Sequence, residues 1–221
     1  IIRDITKRRQ SEKAINSLVD NQKMLVTEAQ HRVKNNLQLI DALLSLQKEL
    51  AKTPQINHIL DSLSRRIHAM ALVHDKLYQA NGSSKIDIKA YLIGLVDAVF
   101  ESHGVLRDSI IANFSIQLQT LPFNTSIACG LLVSECVSNA IAHAFPGKND
   151  GNIVQVNMKK IDHKNISLEV GDNGIGMPKK LPTPLSSLGM QLIESVAKIQ
   201  LHGKLLIDRK KGTLISIQFP I

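Results

Sequence analysis

The stretch from Ile1 to Thr53 contains neither glycine nor proline, and this constrains the fold more than any other feature of the sequence. Apolar residues recur in it at spacings of three and four with one longer gap, which is the period of one face of an α-helix. They are Ile15, Leu18, Leu25, Ala29, Val33, Leu37, Ile40, Leu43 and Leu44. The pattern predicts one helix of about 35 residues from Ala14 onward, a length typical of coiled coils and helical bundles.

A second helix is predicted after Thr53-Pro54, because proline suits the first turn of a helix. Its apolar stripe runs from Ile56 to Leu77 and ends at the turn sequence Asn81-Gly82-Ser83-Ser84. Two amphipathic helices joined by a short loop form a helical hairpin that leaves an apolar seam exposed. Dimerisation into a four-helix bundle would bury this seam, so we expect a homodimer.

After Ser84 the pattern changes to short strands mixed with helices. The predicted strands are 85–88, 110–118, 153–160, 166–170, 204–207 and 214–219, and the predicted helices are 89–102, 125–145 and 188–200. Because strands and helices do not alternate strictly, we expect an α+β fold with helices on one face of a sheet. The predicted domains are a linker helix (1–20), the hairpin (21–82) and the α+β domain (85–221).

Composition excludes several classes of function. The net charge of +8 is spread over small clusters, and with no Trp and two Tyr there is no stacking platform beside them, so we expect no nucleic-acid partner. Two cysteines without a CxxC pair provide neither a disulfide framework nor a zinc site and fit a reducing, cytoplasmic compartment. No membrane segment and no signal peptide is predicted. Because the chain starts with Ile, we expect it to be part of a longer protein.

Three motifs in the α+β region could carry chemistry, and each by itself is ordinary. An apolar strand runs into Asp172, Gly174 and Gly176, where a carboxylate and flexible backbone could meet a ligand or simply form a tight turn. Glu135, Asn139 and His143 share one face of an apolar helix, either as ligands or as polar core residues. Gly189 and Met190 lie at a predicted helix start, which can bind phosphate.

Taken in this order, the three motifs resemble the Bergerat ATP-binding fold, an α/β sandwich shared by histidine kinases, Hsp90, DNA gyrase and MutL. The resemblance implies that Asp172 binds the adenine amine, with Gly174 and Gly176 in the turn under the base. It assigns Asn139 to a Mg²⁺ ion that bridges the phosphates of ATP. Residues 177–187 resemble a short ATP lid, which Gly189 and Met190 would hold against the phosphates.

Ala142 stands where many relatives have a lysine before the histidine of this helix. The resemblance therefore leaves the phosphate charge to Mg²⁺, His143 and the lid lysines Lys179 and Lys180.

The long helix contains the sequence Glu28-Ala29-Gln30-His31-Arg32-Val33-Lys34-Asn35-Asn36-Leu37-Gln38. It resembles the HRxxNN phosphoacceptor box of the second histidine-kinase dimerisation family, which is related to the HWE kinases. The resemblance implies a sensor histidine kinase in which ATP phosphorylates His31, and the phosphoryl group then passes to an Asp of a response-regulator receiver domain. Since Arg32 cannot be a base, Glu28, one turn before His31, is the expected proton acceptor, and Glu135 is the competing candidate.

The sequence Asp4-Ile5-Thr6-Lys7-Arg8-Arg9 resembles the end of a PAS domain, which implies a sensor domain upstream in the same protein. Three alternatives share the ATP motifs. An ATPase of the Hsp90 or MutL type and a serine-kinase anti-sigma factor would both lack the hairpin. A pseudokinase scaffold would keep the fold without nucleotide chemistry.

Overall fold

The computed structural model describes residues 2–51, scattered positions between 53 and 71, and residues 85–105, 109–147, 151–178 and 188–220. The helix that we call α1 spans Ile2–Leu50, so the long predicted helix is present and begins twelve residues earlier than its apolar stripe indicated. The described residues between 56 and 71 are helical, in agreement with the second predicted helix. The predicted turn at residues 81–84 lies outside the described residues.

One face of α1 packs within the hairpin. Lys34, Leu37, Asp41 and Leu44 are half-buried and recur at spacings of three and four, and the hydroxyl of Ser64 donates a hydrogen bond to Asp41 Oδ1. This contact ties α1 to the second helix.

A second face of α1 remains exposed although it is apolar. We call it the open stripe, and its members are Leu18, Leu25, Val33, Ile40, Leu43 and Leu50. At about 100° per residue, the centre of this stripe lies roughly a third of a turn around the helix from the packed positions. The hairpin thus buries one side of α1 and leaves an adjacent apolar side uncovered among the described residues.

The α+β domain follows with alternating short elements. They are β1 (Lys85–Asp87), α2 (Ile88–Ser102), β2 (Ile111–Ile116), β3 (Thr120–Pro122), α3 (Phe123–His143), β4 (Ile153–Lys160), β5 (Asn165–Asp172), α4 (Leu188–Ser195), β6 (Lys204–Asp208) and β7 (Leu214–Pro220). A π-helical turn, Val196–Gln200, extends α4. The main sheet has the order β2-β4-β5-β7-β6, and β1 pairs separately with β3.

The strands of the main sheet place their apolar residues on one face. Only β2 and β4 are parallel, while the other neighbours are antiparallel. Val156, Leu168 and Ile217 are fully buried on the inner face, together with Leu92 of α2 and Leu132 of α3. The helices cover this face, so the predicted α+β class is confirmed. The opposite face carries mostly polar side chains, as expected for the outer side of a two-layer domain.

Several predicted boundaries were wrong by a few residues. Ile88 begins α2 and does not extend the first strand, because the side chain of Asp87 caps the helix by accepting the amide of Ala90 at 3.0 Å. The short strand β3 was missed. Helix α3 begins at Phe123, two residues before the predicted start, and ends at His143, two residues before the predicted end.

Helix α3 meets the length and hydropathy of a membrane-spanning helix, which the sequence analysis did not anticipate. However, 67% of its most apolar window is buried inside the domain. Its apolar surface is therefore accounted for by packing against α2, α4 and the sheet.

Candidate functional site

A cavity of about 260 Å³ opens between α3 and the ends of β5 and β7. Helix α3 and the residue after it line one side with Cys136, Asn139, Ala140, His143 and Ala144. The other walls are Val170, Gly171, Asp172, Ile175, Gly176, Met177, Pro178, Met190, Thr213 and Ile215. The walls are mostly apolar with a few polar groups, which is typical of a site for a planar organic ligand.

Asp172 is the carboxylate of this cavity, and backbone amides hold one of its two oxygens. Its Oδ1 accepts hydrogen bonds from the N–H of Gly174 at 2.9 Å and of Thr213 at 3.2 Å. The N–H of Asp172 in turn donates to the carbonyl of Thr213 at 2.9 Å. Oδ2 has no hydrogen-bond partner among the described residues. One oxygen therefore fixes the carboxylate, and the other is available to a donor on a ligand.

Close backbone contacts explain the glycines around Asp172. A Cβ on Gly174 would lie 2.2 Å from the carbonyl oxygen of Ala144, and a Cβ on Gly212 would lie 1.9 Å from that of Asp172. Gly212 also has a φ of +77°, which side chains disfavour. The N–H of Ile175 donates to the Ala144 carbonyl at 2.9 Å. The end of β5 is thus clamped between the end of α3 and the β6–β7 turn.

Asn173 supports the same loop from outside the cavity. Its side-chain amide donates to the carbonyl of Gly151 at 2.7 Å, and its Oδ1 accepts the N–H of Ile153 at 2.9 Å. Asn173 therefore anchors the loop to the start of β4 and leaves Asp172 as the polar residue of the motif that reaches the cavity.

The three polar residues predicted to share one face of α3 have different surroundings. Asn139 and His143 line the cavity, as the spacing suggested. Glu135 is 4% exposed and is not among the residues that line the cavity. Ala142 is exposed and adds no charge.

Burial raises the pKa of the thiol of Cys136, and the nearby carboxylates of Glu135 and Asp172 raise it further. Cys136 is therefore a neutral, apolar part of the cavity wall.

Of the remaining predicted site residues, Gly176 and Met190 line the cavity. Gly174 and Gly189 lie beside it without lining it, and Lys179 and Lys180 lie outside the described residues. Sequence reasoning missed Thr213 and Ile215. The signal was available in the Gly-Thr pair before the last strand, but only the pairing of β5 with β7 brings that pair to Asp172.

His31 lies on α1 with its side chain exposed. The guanidinium of Arg32 donates to Glu28 Oε1 through Nη2 at 2.6 Å and through Nε at 3.2 Å. Glu28 is thus engaged by Arg32 in this structure. Its second oxygen has no hydrogen-bond partner among the described residues.

Two family models match consecutive parts of the chain. The family described as "Histidine kinase" matches residues 28–103, and the family described as "Histidine kinase-, DNA gyrase B-, and HSP90-like ATPase" matches residues 124–221. Residues 28–103 thus belong to a histidine-kinase family, and residues 124–221 belong to the ATPase family of histidine kinases, DNA gyrase B and HSP90. The first match contains His31 and the second contains the cavity, so His31 and the cavity fall in the two matched domains.

Named relatives agree with this assignment. The chain is 30% identical over 202 residues to blue-light-activated histidine kinase 2 of Erythrobacter litoralis, an alignment that covers 89% of this chain and 57% of the relative. It is 28% identical over 231 residues to the sensor histidine kinase PdtaS of Mycobacterium tuberculosis, covering 100% of this chain and 43% of that protein. The chain therefore spans about half the length of the curated relatives it matches.

Solved structures have the same architecture. The histidine kinase domain of a blue-light activated histidine kinase from Erythrobacter litoralis aligns with a TM-score of 0.63 at 26% identity, covering 83% of this chain and 95% of that chain. The Acinetobacter baumannii histidine kinase AdeS aligns with a TM-score of 0.51 at 16% identity, covering 75% of this chain and 80% of that one, which shows a shared fold.

Proposed function

We propose that this chain is the core of a two-component sensor histidine kinase that uses ATP to phosphorylate His31 and then passes the phosphoryl group to an Asp of a response-regulator receiver domain. The observation that carries the proposal is the state of Asp172 in the cavity. Two backbone amides hold its Oδ1, while Oδ2 is left for the exocyclic amine of adenine. An exposed histidine in a phosphoacceptor box supplies the nucleophile on α1.

The cavity suits the adenine ring of ATP. Val170, Ile175, Met190 and Ile215 provide apolar surface for its faces, and Asp172 provides the acceptor that selects an amine at its edge. The keto oxygen of guanine in the same place could not donate a hydrogen bond to the carboxylate. The site therefore favours adenine over guanine, because bound guanine would enclose Oδ2 of Asp172 without a donor.

The residues present also fit Mg²⁺ bound together with the phosphates. Asn139 lines the cavity, and its side chain has no hydrogen-bond partner among the described residues, so its amide oxygen is available to a hard cation. No group of three or more His, Cys, Asp or Glu that could hold a metal occurs within the described part of the chain. Mg²⁺ commonly binds through one or two protein groups plus substrate phosphates, where it neutralises their charge.

His31 attacks through the unprotonated nitrogen of its neutral imidazole. A bond forms between that nitrogen and the γ-phosphorus, the bond to the bridging oxygen breaks, and ADP leaves. The proton on the other ring nitrogen passes to a base, for which we propose Glu28 because it lies on the same helix one turn away. Catalysis then depends on positioning and charge neutralisation more than on covalent chemistry.

The open stripe of α1 supports a homodimer. Ile40, near the middle of the stripe, follows His31 by nine residues, which is a rotation of about 180° at roughly 100° per residue. A second hairpin that covers Ile40 would therefore leave His31 accessible to ATP and to a receiver domain. We further propose that a PAS-type sensor precedes α1 in the full protein and that this core works in the cytoplasm.

The test is labelling with γ-labelled ATP. We expect label on the protein that is lost in acid and stable in alkali, the behaviour of a phosphoramidate bond to histidine. His31→Gln should abolish it, whereas His163→Gln, which changes an exposed histidine on the β4–β5 loop, should leave it unchanged. Phosphate release from ATP without protein label would support an ATPase, and failure to bind ATP would support a pseudokinase scaffold.

A further inference from the structure

The turn between β6 and β7 carries three consecutive cations, Arg209, Lys210 and Lys211, whose side chains are all exposed. We call it the basic turn. Among the described residues, none of the three forms an ion pair. The neighbouring Asp208 uses Oδ1 to accept the N–H of Lys210 at 3.1 Å, and this contact shapes the turn. Residues 208–211 together have a net charge of +2, and no ion pair with another described side chain neutralises it.

The backbone of the basic turn lies directly behind Gly176, a residue of the cavity wall. A Cβ on Gly176, which lines the cavity, would lie 3.1 Å from the carbonyl oxygen of Gly212 and 3.2 Å from that of Arg209. Thr213, the residue after the turn, lines the cavity and holds Asp172. The turn that carries the three cations is therefore held next to the cavity by its backbone.

The described lining of the cavity carries no Lys or Arg and therefore no fixed positive charge. This lining contains the carboxylate of Asp172, and His143 is its one titratable base. A ligand with several phosphates needs compensating charge from its surroundings. On the side of the cavity formed by β5 and β7, the basic turn is the described source of such charge.

We propose that the basic turn attracts the polyphosphate of the nucleotide toward the cavity and accelerates its association. The inference rests on ATP being the ligand of this site. Steering of this kind acts mainly on the association rate and weakens as salt shortens the screening length to about 8–10 Å or less. It should therefore favour ATP over uncharged adenosine and should fade at high ionic strength.

The chain offers a matched control at the opposite end of β5. Lys159, Lys160 and Lys164 surround the β4–β5 loop together with Asp162, so this group also has three cations and one acid. Asn165 and Asp172 mark the two ends of β5, which places the control group about 23 Å from the Asp172 end at the usual rise per residue of a strand. Replacing these three lysines changes the net charge of the protein by the same amount as replacing the three cations of the basic turn. It leaves the charge at the cavity mouth unchanged.

The experiment compares R209Q/K210Q/K211Q with K159Q/K160Q/K164Q by stopped-flow binding of fluorescent ATP and adenosine analogues, after thermal melts have established that both variants fold. At about 20 mM salt we expect the basic-turn variant to associate with the ATP analogue at least about threefold more slowly, and the difference to vanish near 500 mM. Adenosine binding and the control variant should be unaffected.

Equal slowing in both variants, or no slowing in either, would overturn the inference while leaving ATP binding in place. A chain that binds no ATP analogue at all would instead contradict the proposed function. A loss in the basic-turn variant that persists at high salt, and that appears equally with adenosine, would identify the turn as a structural support of the cavity and would also overturn the steering role.

Discussion

The carboxylate of Asp172 accepts a hydrogen bond from the backbone N–H of Thr213, a residue 41 positions further along the chain. Two strands that are neighbours in the sheet make this contact possible, because β5 and β7 run antiparallel with Gly171 opposite Leu214. The backbone thus fixes one oxygen of the carboxylate before any ligand arrives. Such pre-orientation reduces the ordering that binding must impose.

Asp172→Asn should weaken ATP binding more than it slows phosphoryl transfer. The adenine contact is the same in the ground and transition states, so its loss affects affinity and not the rate at saturation. Titration calorimetry with a non-hydrolysable ATP analogue gives the affinity, and single-turnover labelling gives the rate. A loss that appears mainly in the rate at saturating ATP would refute the adenine assignment.

Asn139→Asp should abolish autophosphorylation without unfolding the domain. The added negative charge would lie in the cavity beside the triphosphate, where repulsion is poorly screened. Circular dichroism checks the fold, and labelling of His31 checks the activity. Asn113→Asp serves as the control for the asparagine chemistry, because Asn113 is exposed on β2 and lies outside the cavity lining. Undiminished labelling of the Asn139 variant would remove this residue from the mechanism.

Glu28→Gln should lower the rate of autophosphorylation by about 10²-fold or more if Glu28 accepts the imidazole proton. ATP affinity should barely change, since Glu28 lies on α1 and not in the cavity. Glu135→Gln is the comparison: on the competing assignment it would be the damaging change, although Glu135 is buried away from the cavity lining. A Glu28→Gln rate within a factor of three of the wild type would exclude Glu28 as the base.

Arg32 provides an independent check on Glu28. Its guanidinium holds Glu28 Oε1, and both side chains are exposed, so the pair adds little to stability. Arg32→Gln should therefore leave the melting temperature within a few degrees of the wild type. If Arg32 positions Glu28, this variant should shift the pH profile of autophosphorylation, and Arg32→Lys should restore part of it.

Gly212→Ala should destabilise the domain and weaken ATP binding together. Alanine at position 212 would have to adopt a positive φ. Its Cβ would lie 1.9 Å from the carbonyl oxygen of Asp172, so the end of β5 must move. Gly147→Ala is the matched control, because Gly147 also has a positive φ, of +71°, but no atom lies within 4 Å of the added Cβ. We expect the control to lose about 1 kcal/mol in the free energy of unfolding with unchanged ATP affinity.

Local pattern was enough to predict most elements of this protein. The long run without Gly or Pro, with apolar residues at spacings of three and four, marked α1. The alternating apolar residues of Ile153–Lys160 marked β4 with both ends correct. The motifs around His31, Asn139 and Asp172 were also readable, because each lies within a few consecutive residues and resembles a known family motif. Their chemical roles stay predictions.

The tertiary structure decided which of those residues meet. Pairing of β5 with β7 brings Thr213 to Asp172, and the packing of α3 directs Asn139 and His143 to the cavity while it buries Glu135. Helical spacing could not distinguish the buried residue from the two cavity residues, since it places Glu135, Asn139 and His143 on one face of α3. Which part of that face is covered by packing depends on the tertiary structure. Contacts between residues 41 positions apart depend on the sheet order, and no local pattern encodes that order.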